Sequence, residues 1–159
     1  MRTKIYIDFT YLILLAASFG GIIVLGAFVA PVIFHTDRLF SDVVLGYYNS
    51  GMIMGEIFHR FSYWVYVLAF SVMVYEAVMY KMGHRDTIAI ISAFVVSFTS
   101  LMYSGVYAPK ILAMQELGVE ATLSDTFKNV HVASEIDFKI LAVALIVLFV
   151  RRLMLLRLS

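Results

Sequence analysis

Residues 9–34 form a run of 26 residues without one charged side chain. No other feature limits the fold as strongly. A helix needs about 20 apolar residues to cross the hydrocarbon of a bilayer, so this run is long enough to do so. It is also too long for the apolar region of a cleavable signal, which runs to about 7–15 residues. Residues 87–108 repeat the pattern, uncharged until Lys110 and closed by Pro109. The chain is 62% hydrophobic and 14% charged, against roughly 45–50% and about 25% in soluble domains. Its 159 residues are therefore expected to form one all-α membrane domain, residues 1–159, with no room for a second, soluble unit. Cysteine is absent, which excludes disulfides, thiolate metal sites and cysteine nucleophiles.

Two further spans are less plain. The second is expected over residues 56–80, with Trp64 and several tyrosines suited to interfaces or helix contacts and Glu76 near its end. Toward the C-terminus the longest uncharged run, residues 140–150, has only 11 positions and cannot span alone. Ser124-Asp125 reads as an N-cap and Arg151-Arg152 as an interfacial stop. The fourth span is accordingly expected over about residues 129–150, taking Glu135, Asp137 and Lys139 into the membrane. A four-helix bundle follows. Small-residue ridges at Ala17 and Gly21, Gly26 and Ala30, and Ser100 and Ser104 suit close packing within it.

Seven of the twelve Lys and Arg lie at the N-terminus, between spans two and three, or at the C-terminus, whereas eight of the eleven acids lie on the opposite side. The positive-inside rule then predicts both termini on the cytoplasmic side. His35, His59 and His131 fall on the outer side and His84 in the short inner loop. Residues 43–55, an uncharged run of 13, are too short to cross and predict an interfacial or re-entrant segment before the second helix. Gly46, Gly51 and Gly55 would allow close packing or a bend there. Residues 110–123 read as a loop. There is no internal repeat and no basic patch for nucleic acid. The partners expected are lipid and either a second copy or another membrane protein.

Chemistry is concentrated in two short constellations, Glu56-Ile57-Phe58-His59 and His131-Val132-Ala133-Ser134-Glu135. Spacings of three and four put the histidine and carboxylate of each on one helix face. Met52, Glu56, His59, Tyr63 and Tyr66 continue the first stripe, and His131, Ser134, Glu135, Phe138 and Ala142 the second; Asp137 points away from His131. If the stripes faced each other, Glu56, His59, His131 and Glu135 would offer two imidazoles and two carboxylates to iron, manganese or zinc. Nearby Met52, Met54 and Met114 would favour copper. His59 and His131 would alternatively ligate haem b from two helices. Cation or proton transfer along Glu56, His59, Glu135, Asp137 and Lys139 is a third reading. The plainest alternative is structural: Glu56 pairs with Arg60, Glu135 with Lys139, and the histidines hydrogen-bond near the headgroups. Glu76 is expected to pair with Lys81 or to snorkel. No hydrolase triad, phosphate loop or nucleotide fingerprint occurs, so no enzyme activity is assigned.

Residues 26–34, Gly-Ala-Phe-Val-Ala-Pro-Val-Ile-Phe, resemble the end of the first helix in the bacterial membrane proteins called domain of unknown function 4149, relatives of eukaryotic transmembrane protein 205. The resemblance continues in Tyr107-Ala108-Pro109-Lys110-Ile111. It extends to residues 127–135, similar to that family's Phe-x-x-Leu-His-x-x-Ser opening of the fourth helix. It implies a four-helix membrane domain with His131 and Ser134 at family-type positions, and no established activity. More distantly the architecture is similar to copper-resistance D proteins and four-helix haem-pathway oxidases, which by analogy keeps copper and haem in view. The oxidases carry a histidine early in the first helix, and this chain has none before His35. Transition-metal handling is the favoured expectation, with haem or quinone redox chemistry and a ligand-free assembly role beside it.

Overall fold

The computed structural model describes residues 2–39 and 45–157, and all regular structure among them is helical. Helix α1 (Arg2–Ile23) runs through a π-helical stretch, Val24–Val29, into α2 (Ala30–Phe34). Pro31 stands at the start of α2. Proline has no N–H to give and its ring crowds the carbonyl four residues back, and a widened turn relieves both problems without ending the helix. The same arrangement recurs downstream. Helix α4 (Thr87–Met102) passes through the π-helical stretch Tyr103–Tyr107 into α5 (Ala108–Glu116), with Pro109 at its start. The third rod therefore continues past the proline that was expected to close it. Residues 110–123 are likewise not a loop: α5 is followed by a turn at Leu117-Gly118 and by α6 (Val119–Leu123). Gly118 has φ 99°, the left-handed backbone that this turn needs.

Between these rods lies α3 (Tyr47–Lys81), 35 residues without a break. Residues 47–55, expected as a separate interfacial or re-entrant segment, are its first turns. Asp42 and residues 43–44 of that expected segment lie outside the described residues. Helix α3 ends in a Schellman motif: His84 N–H reaches the Met79 carbonyl at 3.0 Å and Gly83 N–H the Tyr80 carbonyl at 3.1 Å, with Gly83 at φ 88°. Three residues later Asp86 caps α4, its carboxylate accepting from Ala89 N–H at 2.9 Å. The last helix, α7 (Asp125–Arg157), opens with Ser124 Oγ accepting from Phe127 N–H at 3.2 Å.

Helices α1 and α4 each pack against α3 and α7. Leu15, Leu68, Val72, Val96, Leu141, Leu145 and Leu148 meet at the centre, all fully buried. Outward, large apolar side chains such as Phe70, Phe94 and Val143 are more than 60% exposed. Such a surface suits lipid rather than water. Three helical rods, Ile5–Phe34, Tyr47–Lys81 and Thr87–Glu116, are long and apolar enough to cross a membrane. Helix α7 has 33 residues but carries charged residues along both ends.

Glycines set two of the closest approaches. A Cβ on Gly21 would meet the Phe61 ring at 2.9 Å, and one on Gly55 would run into Gln115, which is buried and donates to the Gly51 carbonyl at 2.9 Å. Gly26, also on an expected ridge, has nothing within 4 Å. Gly55→Ala is therefore expected to lower the thermal midpoint in detergent, because overpacking costs about 1–3 kcal/mol. Gly26→Ala should hold or raise it, by helix propensity of up to about 1 kcal/mol.

Candidate functional site

Each sequence-predicted pair forms within its own helix. Arg60 Nε donates to Glu56 at 2.7 Å, and His59 Nε2 lies 3.2 Å from the Tyr63 hydroxyl. On α7, His131 Nε2 lies 3.3 Å from Glu135, and Lys139 Nζ 3.5 Å from the other Glu135 oxygen. Glu56, His131 and Glu135 have side chains about half exposed or more, and His59 is half-buried. No three His, Asp or Glu side chains form a group able to hold a metal ion among the described residues. The reason is rotational. Successive helical residues turn by about 100°, and the inward face of α7 carries Ser134, Asp137, Leu141, Leu145, Leu148 and Arg152. His131 and Glu135 lie off that face.

Two polar sites do form inside. The first knits helices together at the end that holds the start of α1, the α3–α4 turn and the end of α7. Arg152 and Glu76, both over 90% buried, form a two-pronged ion pair, with Arg152 Nε donating to Glu76 at 2.8 Å. The Tyr11 hydroxyl donates to the same Glu76 oxygen at 3.0 Å. Tyr11 stacks on Tyr75 with ring centres 3.7 Å apart, and the Tyr75 hydroxyl donates to Asp8 at 2.7 Å. Glu76 thus reaches across the bundle to Arg152 rather than along its own helix to Lys81.

Beside this network Arg151 grips Asp86 with two hydrogen bonds of 2.9 and 2.5 Å. The Arg151 bonds, helped by the Ala89 amide, lower the Asp86 carboxyl from its ordinary 3.8 to about 2, against partial burial. A depressed carboxyl contributes stability above its unfolded value and loses it as pH falls through the folded one. Asp86→Asn keeps the helix cap but not the charge. It is expected to lower the unfolding midpoint at pH 7, and the difference from wild type should close as pH falls from about 4 toward 2.

The second interior site lies between α7 and the end of α4. Asp137 is 8% exposed, and its Oδ2 has no hydrogen-bond partner among the described residues. The Tyr103 hydroxyl and Ser100 Oγ, also buried, lack partners as well. Tyr103 follows Ser100 by three residues on the same face, and it opens the π-helical stretch. Tyr103 packs on Phe138, the residue after Asp137 on α7. Around them Phe58, Phe61, Tyr103 and Phe138 pack ring against ring, with Tyr103 and Phe138 centres 4.9 Å apart. A carboxylate oxygen, a phenol and a hydroxyl are thus buried without hydrogen-bond partners among the described residues. Of the residues proposed for cation transfer, Asp137 is the one that turns fully inward.

An all-helical chain with lipid-suited outer faces and three rods long enough to cross a bilayer is of the multi-span membrane class. Residues 13–120 match the family described as Domain of unknown function (DUF4149), and the chain belongs to that family. The match covers most of the first proline-bearing rod, all of the second and all of α3. Helix α7 lies beyond it. No curated protein and no solved structure matches the chain.

Proposed function

We propose that this chain is a four-helix bundle of the bacterial inner membrane, both termini cytoplasmic, that binds and releases a monovalent cation at Asp137. The cation is a proton or an alkali-metal ion. The observation that carries the reading is the buried Asp137 Oδ2, which has no hydrogen-bond partner among the described residues, as the buried Tyr103 and Ser100 hydroxyls have none. An ionisable side chain buried inside a membrane bundle costs several kcal/mol unless its charge is met. A single unpartnered negative charge is matched by one positive charge. The π-helical turn at Tyr103–Tyr107 adds support, since such bulges often accompany functional sites. The excess of Lys and Arg at the end carrying the termini supports the orientation.

A transition metal at Glu56, His59, His131 and Glu135 has weaker support, because those residues spend their polar atoms on neighbours one turn away. Haem b between His59 and His131 has the same weakness. An assembly role has no specific observation in its favour. The test is ion flux in proteoliposomes, read with a pH-sensitive dye inside and with sodium or potassium gradients imposed. Wild-type protein should carry one of these ions and Asp137→Asn should not. Equal flux in both proteins, or none in either, would overturn the reading.

A further inference from the structure

A cleft of about 230 Å³ opens at the end that holds the termini, separate from Asp137. Its polar wall includes Asp8 and Arg85, and its apolar wall Met79 and Leu155. Most charges nearby are matched: Arg152 is held by Glu76 and Arg151 by Asp86. Asp8 and Arg85 are different. Asp8 is 3% exposed and takes one hydrogen bond, from Tyr75, and it has no ion-pair partner among the described residues. Arg85 lies with its guanidinium 4.7 Å above the Tyr80 ring and likewise has no ion-pair partner there. The two line one cleft without pairing with each other.

We infer that this cleft binds a phosphoethanolamine group. Its ammonium would meet Asp8 and its phosphate Arg85. A buried carboxylate is costly without a cation, and guanidinium–phosphate bonds are among the stronger charge-assisted contacts. The ligand must carry both charges, since a lone anion would leave Asp8 unmatched and a lone cation would leave Arg85 so. Met79 and Leu155 continue the site as apolar wall, which suits the glycerol and first acyl carbons of a lipid lying at the membrane surface. The ammonium must also donate hydrogen bonds, which excludes a trimethylated choline as an equal ligand.

Native mass spectrometry of the full chain in detergent tests this, with phosphatidylethanolamine, phosphatidylcholine and phosphatidylglycerol supplied at equal concentration. The ethanolamine lipid should be retained about tenfold over either other lipid, the scale of one charge-assisted contact. Arg85→Gln and Asp8→Asn should each erase the preference. Both leave the Glu76–Arg152 pair in place, and the amide introduced by Asp8→Asn can still accept from Tyr75. Glycerophosphoethanolamine, added as the soluble source, should displace the lipid if the headgroup alone is recognised. Retention of the lipid against it would assign the site to the membrane lipid. Equal retention of all three lipids, or a preference that survives both variants, would overturn the inference.

Discussion

Arg152→Met is expected to destabilise the protein by about 3–5 kcal/mol, the usual effect of leaving one buried partner of an ion pair uncompensated. Glu76 would keep only the Tyr11 hydroxyl as a donor among its present partners, at a site 8% exposed. The double variant Glu76→Leu/Arg152→Met should recover most of that loss, because replacing both charges removes the desolvation penalty along with the attraction. Unfolding in detergent, followed by helical circular dichroism, reads all three proteins. If Arg152→Met unfolds at the wild-type midpoint, the pair does not hold the helix ends together.

The second large effect has the opposite sign. Asp137→Leu is expected to raise stability by about 1–3 kcal/mol while abolishing ion flux, since it removes an unsatisfied buried group and its desolvation cost. Functional sites commonly hold such strain, and relieving it trades activity for stability. The sign discriminates between roles. A carboxylate that braced the fold through a partner would make the same substitution destabilising. A stabilised protein that still carried ions would separate Asp137 from transport altogether.

The contrast between these two residues explains what could be read from the chain before its fold was known. The rods built on residues 9–34 and 87–108 are legible because an uncharged run of that length has few alternatives in water or in lipid. Their extent past Pro31 and Pro109 is not. Proline usually ends a helix, and only the π-helical turns at Val24–Val29 and Tyr103–Tyr107 allow it to continue here. Residues 47–55 misled for a related reason: three glycines suggested a bend, whereas Gly55 and Gly51 serve to admit Gln115 from α5.

The sites divide in the same way. His131 and Glu135 stand out in sequence because they are one turn apart and chemically versatile, but their pairing is local and outward. Glu76 and Arg152 are 76 residues apart, and Asp8 and Tyr75 are 67 apart, so no local pattern joins them. One signal was available. Residues 134, 137, 141, 145, 148 and 152 recur at intervals of three and four, the buried stripe of an amphipathic helix. Following the leucines of that stripe in both directions leads to Asp137 at one end and Arg152 at the other. The metal-site acids expected from sequence, Glu56 and Glu135, are those beside a histidine, whereas Asp137, named only for cation transfer, lies in line with the core.

The most direct test is an infrared titration of the carboxyl C=O band of purified protein, compared with Asp137→Asn and repeated with sodium, potassium or lithium added. The proposed site predicts a band from one buried carboxyl, present in wild type and missing in the variant, that changes with pH or is lost when an alkali ion displaces the proton. A wild-type spectrum that matches the Asp137→Asn spectrum under every condition would contradict it.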